Sequence, residues 1–331
     1  MATHIFLPPI AKTTGGVAVL LKLARALRES GREVALVPRE TLPEDVAADP
    51  PAPLVPWERL ALKPDDVWLV PEGWPNALAP GLAAKARCLV YCQNAAFLFS
   101  GLPAGVGWAQ LPVGFLAVSQ PMAWFVEQAL GVVPPVLRPG IDLALFSPPE
   151  GKPAGPVRIG FMPRKNKALG LEIRAVLAAR LARLKGPAVD WVELAGLTQA
   201  GVAEALRGCH VFLATGFPEG CPLPPLEALA SGCLAVGFAG LGGFDYMRQI
   251  EPGGYRPACP LREVPWAGNG FYAADGDVIT AALGLETAAR WVAEGDPRLA
   301  AALAEGRKTA QAYSLEAFAA NVDAVWREMG L

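Results

Sequence analysis

The chain has 331 residues, 53% of them hydrophobic and 18% charged, with 35 Gly, 33 Pro and a formal net charge of −2. At roughly 150 residues per domain this length predicts about two domains, and the mixed, near-neutral charge argues against a nucleic-acid surface, which needs a basic stripe. The two histidines, His4 and His210, leave little room for a Ser-His-Asp triad or a His-rich zinc site, so any enzyme chemistry falls to carboxylates, Lys, Arg and backbone amides.

The first predicted element is a short apolar strand, His4–Leu7, followed by a loop, Pro8–Thr14. Gly15-Gly16 then opens an amphipathic helix, Val17–Ser30, with Leu20, Leu23, Ala24 and Leu27 on one face and Lys22, Arg25, Arg28 and Glu29 on the other. Gly31 is its C-terminal stop, and Glu33–Val37 is the next strand. A strand-helix-strand unit of this length implies a parallel sheet. Further strands are predicted at Val67–Val70, Cys88–Tyr91 and Phe115–Val118. Ser119 caps a helix over Pro121–Leu130, and Val132–Leu137 reads as a last strand.

Ser147–Pro156, SPPEGKPAGP, is the best linker in the chain. The alternation then restarts: strand Val157–Phe161, helix Ala168–Leu184, strand Trp191–Leu194, a short helix around Val202–Leu206, strand Val211–Ala214, helix Leu226–Ala230 and strand Leu234–Gly237. Helices at Val278–Glu294, Pro297–Ala312 and Leu315–Met329 close the chain. No sequence repeat is visible; the halves repeat in architecture as two Rossmann-like domains, and a cleft between such domains is the default binding site.

The six cysteines (Cys88, Cys92, Cys209, Cys221, Cys233 and Cys259) match no tight zinc spacing. With no signal-peptide pattern at the N-terminus, reduced thiols in a cytoplasmic protein are expected. The uncharged stretch Ala228–Phe244 is shorter than the ~20 residues of a membrane span and reads as helix, turn and buried strand.

Val211–Ser231, VFLATGFPEGCPLPPLEALAS, carries the strongest chemical signal. An apolar strand runs into a loop with Glu219. Glu227 follows eight positions later at the opening of a helix whose start suits Pro224 and Pro225. Free N–H groups and the dipole at that helix start form an anion site. Carboxylates on either side of an anion site suit a ligand with hydroxyls on both sides of its phosphates, the layout of a nucleotide-sugar. Taken alone, Glu219 reads as a solvated loop charge and Glu227 as a cap-region charge helping the dipole.

That stretch resembles the Glu-x7-Glu signature of the retaining glycosyltransferases with the GT-B fold (glycosyltransferase group 1, family 4-like). Other segments agree in order: Gly15-Gly16-Val17 at the first helix, Val118-Ser119 before a helix, Arg138-Pro139-Gly140-Ile141-Asp142 with Phe146 and Pro148, Val157–Lys167, Asn269-Gly270-Phe271 with Asp275-Gly276-Asp277, and Tyr313-Ser314 with Phe318 and Trp326. The resemblance implies an α/β fold of two Rossmann-like domains facing a central cleft. Residues 1–148 form the acceptor-side domain, joined by the C-terminal helix 314–331, and residues 149–313 form the donor-side domain. It also implies sugar transfer from a nucleotide-diphosphate donor to an acceptor hydroxyl, sugar or lipid-linked, with retention, no cofactor and no metal.

In such enzymes Glu219 takes hydroxyls of the donor sugar and Glu227 those of the ribose. The basic loop Arg164, Lys165 and Lys167 meets the leaving diphosphate, Arg164 foremost and the two lysines unranked. Fixed cations there stabilise the charge that develops as the glycosidic bond breaks. The donor-binding set further includes Gly15, Gly16, Gln93, Asn94, Gly220, Cys221 and Leu223.

Two departures stand out. Pro222 removes an amide that the family loop keeps, and Gln93-Asn94 stands where the family often has a His. His210 stands at a usual Asp position and reads as structural. The aromatic region Phe97–Trp108, with Trp74, reads equally as an acceptor or membrane-face contact, in cell-surface polysaccharide or glycolipid synthesis, and as packing. Two rival readings remain: an inverting transferase or epimerase with Glu72 as base, and a catalytically silent nucleotide-binding protein.

Overall fold

The computed structural model describes residues 1–9, 14–40, 42, 44–251 and 254–331. The chain forms two compact units, one of Met1–Gly140 with Glu316–Leu331 and one of Ile141–Leu315.

The first unit carries β1 (Thr3–Leu7), α1 (Gly15–Glu29), β2 (Val34–Pro38), α2 (Glu44–Ala48), β3 (Val67–Pro71), α3 (Ala79–Ala84), β4 (Arg87–Cys92), α4 (Ala95–Leu98), β5 (Val113–Ala117) and α5 (Gln120–Leu130). Its strands make one parallel sheet in the order β2-β1-β3-β4-β5. The strands are short and nearly all apolar because helices cover both faces of such a sheet. α1 buries Leu20, Leu23, Ala24 and Leu27, the face expected from its periodicity; each buried Leu contributes about 2 kcal/mol. Thr14 caps α1 by accepting from Val17 N, and Ser119 caps α5 by accepting from Met122 N.

The second unit carries β6 (Val157–Phe161), α6 (Lys167–Leu184), β7 (Val189–Glu193), α7 (Gln199–Arg207), β8 (Val211–Ala214), α8 (Leu223–Ala230), β9 (Leu234–Phe238), β10 (Gly270–Ala273), α9 (Val278–Glu294) and α10 (Pro297–Gln311). Its parallel sheet runs β10-β9-β8-β6-β7. Counted within each unit, both sheets have the strand order 2-1-3-4-5. The second core is built from Ile159, Phe161, Leu213, Val236 and Phe238 on the strands and Ile173, Leu177 and Leu285 on α6 and α9. Helix α11 (Leu315–Glu328) returns the chain to the first unit. There Trp326 is fully buried and its Nε1 donates to Thr3 Oγ1, while Arg32 pairs with Asp323 at 2.8 Å.

The structure departs from the sequence expectations at several points. Val132–Leu137 is not a strand. One parallel bridge joins Val136 to Ala117, with Ala117 N donating to Pro135 O and Leu137 N to Ala117 O. Pro134 and Pro135 have no N–H to extend that ladder. Strand β10 was not expected: it has only four residues and no polar alternation, so its period is illegible. Helix α8 begins three residues before the predicted Leu226. The junction of the units lies at Gly140–Ile141, ahead of the Pro- and Gly-rich stretch, where Ile141 N donates to Tyr313 O within the second unit. Ser147–Pro156 has no regular structure but is fastened to that unit, since Lys152 Nζ donates to Leu206 O and Ser231 O. Of the expected loop Pro8–Thr14, residues 10–13 lie outside the described residues.

Candidate active site

In an open parallel α/β sheet, ligands bind beyond the carboxyl ends of the strands, where neighbouring connections leave in opposite directions. In the second unit that point lies between β6 and β8, and both exit loops carry charge. The β6 loop holds Arg164 and Lys165, the β8 loop holds Glu219, and all three line one pocket with Met162, Thr215, Pro222 and Phe238. The pocket contains about 460 Å³ of atom-free space, part of it open to solvent.

Lys165 Nζ meets Glu219 Oε1 at 2.7 Å, with both side chains partly exposed; such a pair contributes about 1 kcal/mol or less. Arg164 is exposed, lines the same pocket, and has no ion-pair partner among the described residues. The two loops are stitched together. Asn166 Nδ2 donates to Thr215 O and Phe217 O, and Thr215 Oγ1 donates to Lys165 O. Asn166 adopts a left-handed conformation, φ 55°, ahead of α6, a region that Asn tolerates better than most residues.

A third loop, after β9, clasps the Glu219 loop through its backbone. Glu219 N donates to Gly240 O and Gly242 N donates to Glu219 O, each at 2.9 Å. Gly240, at φ +62°, could carry no side chain: a Cβ there would stand 2.9 Å from Glu219 Cβ and from Gly216 O. Asp275 Oδ1 accepts from Gly240 N at 2.9 Å, and burial pushes the Asp275 carboxyl above the usual range. From below, Tyr246 Oη donates to Pro222 O at 2.6 Å. Gly242-Gly243 therefore supports the Glu219 loop from a buried 3-10 turn, Gly242–Asp245, and is not among the residues lining the pocket.

The remaining expected residues are placed differently. Lys167 is the exposed first residue of α6 and does not line the pocket. Gly220, Cys221 and Leu223 lie in the Glu219 loop and at the start of α8, also outside the lining. Glu227 does not open a helix: it is the fifth residue of α8 and buried. This earlier start changes the electrostatics. Pro222 is the cap and Pro224 and Pro225 fill the first turn, so only Leu223 offers an N–H among those four positions. Neither the cap nor the two prolines can donate to an anion, and the expected amide cradle is reduced to little more than the dipole and Leu223.

In the first unit the carboxyl ends of β3 and β4 carry Glu72, Gln93 and Asn94. Asn94 caps α4 by accepting from Ala96 N, and Asn94 N donates to Glu72 Oε1 at 2.7 Å. Gln93 Oε1 lies against Gly16, in the space a Cβ on that glycine would fill; Gly15 is exposed. Glu72 is buried, and burial raises its carboxyl to about 7 against backbone hydrogen bonds that pull it down. A carboxyl with a raised folded-state pKa contributes stability that is complete below the ordinary pKa near 4.5 and lost as pH rises to about 7. Glu72→Gln is therefore expected to flatten the fall in unfolding free energy between pH 4.5 and 8 by roughly 3 kcal/mol. Urea titrations of both proteins at pH 5 and pH 8 measure it, and equal slopes would refute it.

His210 is structural. Its Nδ1 accepts from Arg158 N and its Nε2 lies 3.1 Å from Pro153 O, and burial lowers its pKa. All six cysteines are free thiols. Among the described residues no helix is long and apolar enough to cross a membrane. Sequence reasoning missed Asn166, Thr215 and Tyr246. Asp275 stood within the quoted Asp-Gly-Asp stretch, so that signal was present, whereas Tyr246 has none.

No family model matches the chain. It is 26% identical over 234 residues to an alpha-1,6-glucosyltransferase of Actinobacillus pleuropneumoniae serotype 7 (strain AP76), with 69% of each chain covered. Among solved structures it resembles sucrose-phosphate synthase from Thermosynechococcus elongatus, with a TM-score of 0.68 at 15% identity, over 99% of this chain and 98% of that one. It also resembles the catalytic domain of starch synthase IV from Arabidopsis thaliana bound to ADP and acarbose, with a TM-score of 0.58 at 12% identity, over 99% and 98% of the two chains. The fold is α/β and matches GT-B structures, with two five-stranded parallel sheets and flanking helices.

Proposed function

We propose that this chain is a glycosyltransferase that takes a nucleotide-diphosphate sugar and moves the sugar to an acceptor hydroxyl, on a free or lipid-linked sugar, with retention at the anomeric carbon. One observation carries the proposal: Arg164, Lys165 and Glu219 converge in one pocket at the strand-order switch of the second unit. The starch synthase bound to ADP and acarbose gives this reading its ligand class.

In the reaction, the bond from the anomeric carbon to the diphosphate breaks and negative charge grows on the departing phosphate. Arg164, with no ion-pair partner among the described residues, meets that charge, and Lys165 joins it. Such fixed charges act strongly because they need no reorganisation as the reaction proceeds. Glu219 accepts from hydroxyls of the transferred sugar and stays bonded to Lys165, coupling sugar and diphosphate recognition. Glu227 serves the ribose hydroxyls. The acceptor oxygen attacks the face that the diphosphate leaves, so no protein nucleophile forms a bond to the sugar, and its proton departs with the diphosphate. The loop cations do the work that a divalent metal does elsewhere. Six free thiols fit a reducing, cytoplasmic setting.

Thermal unfolding with UDP, ADP and GDP tests the donor site. A ligand at one hundred times its Kd stabilises by about 2.7 kcal/mol, so at least one diphosphate should raise Tm by several degrees; no shift with any would refute the reading. NMR of the product anomer then tests retention. The inverting alternative draws on Glu72, whose carboxyl near 7 suits a general base, and an inverted product would select it.

A further inference from the structure

The carboxylate of Glu219 is folded back over its own loop. Its Oε1 reaches Lys165 Nζ at 2.7 Å, and the same atom stands against Gly216. A Cβ on Gly216 would lie 3.0 Å from Glu219 Oε1, 3.6 Å from its Cγ and 3.7 Å from its Cδ, so the nearest atoms all belong to that one side chain. Gly216 lines the pocket beside Lys165 and Glu219 and does not have a positive φ. The backbone therefore has no need of a glycine here; the carboxylate does.

Gly216 is held from both sides. Asn166 Nδ2 donates to the carbonyls that flank it, Thr215 O at 2.9 Å and Phe217 O at 3.2 Å, and Thr215 Oγ1 donates to Lys165 O at 3.1 Å. Its own carbonyl faces Gly240, whose added Cβ would lie 2.9 Å from Gly216 O. The segment carrying Gly216 is thus tied to the loop carrying Lys165, and the Glu219 carboxylate lies against both. A methyl group on Gly216 would meet fixed backbone behind it and a flexible side chain in front, so the side chain gives way. Glu219 Oε1 would shift by a few tenths of an ångström, off the position from which it takes Lys165.

We propose that Gly216 is a positioning residue of the transfer site. Its missing side chain leaves the space in which the Glu219 carboxylate folds onto Lys165, and so it sets where Glu219 meets the transferred sugar. The Lys165 ammonium has three N–H donors, so it holds the carboxylate in place and still serves the phosphate. Gly216 acts through Glu219 alone. Its role in transfer rests on the donor reading; the placement of the carboxylate does not.

The test is a cycle of Gly216→Ala, Glu219→Ala and the double substitution in the whole protein. Urea melts read folding. Mass spectrometry after brief acetylation with an N-hydroxysuccinimide ester reads the pair, because a lysine nitrogen engaged by a carboxylate is less available to the reagent; the exposed Lys167 is the internal reference. Initial rates and affinities for UDP, ADP and GDP read the site. Gly216→Ala should speed acetylation of Lys165 relative to Lys167 several-fold and lower kcat/KM about tenfold, with diphosphate affinity unchanged. In the Glu219→Ala background it should change neither, since no carboxylate is left to displace. A further tenfold loss in that background, or native labelling and native transfer in Gly216→Ala, would overturn the proposal. Should Gly216→Ala fail to fold, the double variant decides: if it folds, the clash lies with the carboxylate and the proposal stands, and if it does not, the glycine serves the backbone and the proposal falls. The expected labelling in a protein that binds no diphosphate and transfers no sugar would keep the placement of Glu219 and overturn the donor reading instead.

Discussion

Replacing Arg164 by Ala is expected to slow sugar transfer about a thousandfold while leaving the protein folded. The size of the effect follows from what else the second unit offers the departing diphosphate. Helix α8 begins with Pro222, Leu223, Pro224 and Pro225, so its first turn has one amide where an ordinary helix start has several. Lys165 is already paired with Glu219. Arg164 is thus the cation of this pocket with no competing carboxylate among the described residues, and its loss has little to cover for it. Its exposed side chain makes no ion pair among the described residues, so unfolding free energy should change by less than about 0.5 kcal/mol. Glu219→Ala should cost about a hundredfold or more through lost hydroxyl contacts, with about 1 kcal/mol of stability from the broken pair. Initial rates with the donor identified by thermal shift, set beside urea melts, read both quantities. Near-native transfer by either variant would refute the assigned roles.

The second large effect is structural. Gly242→Ala should destabilise the protein by about 3 kcal/mol and remove transfer with it. A Cβ at Gly242 would collide with the Gly220 carbonyl and stand 2.7 Å from Glu219 O, and these are backbone atoms with nowhere to turn. The bond from Gly242 N to Glu219 O would have to break, moving the loop that aims Glu219. The neighbouring glycine supplies the control. A Cβ on Gly243 would meet Met247 Sδ at 2.6 Å, the far end of a flexible chain, so Gly243→Ala should cost about 1 kcal/mol. Equal losses from the two substitutions would refute the backbone clasp.

Much of the architecture was legible because parallel strands buried on both faces are short apolar runs, and because caps such as Ser119 and stops such as Gly31 mark helix ends. Glu219 and the basic loop were legible because each follows a strand directly. What was hidden has physical causes. Val132–Leu137 has the composition of a strand, but Pro134 and Pro135 lack the donors a ladder needs. The start of α8 was misplaced because prolines fit a first turn and also fit the loop before it. The support beneath the Glu219 loop, from Tyr246, Asp275 and Gly242, comes from residues 23 to 56 positions from Glu219 in sequence, and spacing carries no trace of such contacts.

The return of α11 to the first unit bears on how the protein is made. Residues 141–315 form one uninterrupted stretch, so the second unit has all its parts before α11 is synthesised. The first unit begins earlier and finishes later: its opening strand waits for Trp326 to reach Thr3 and for Asp323 to reach Arg32. On the ribosome, then, the half that starts last completes first. The opening half has all five strands of its sheet by residue 117, but it receives its last helix only when residues 316–331 have emerged.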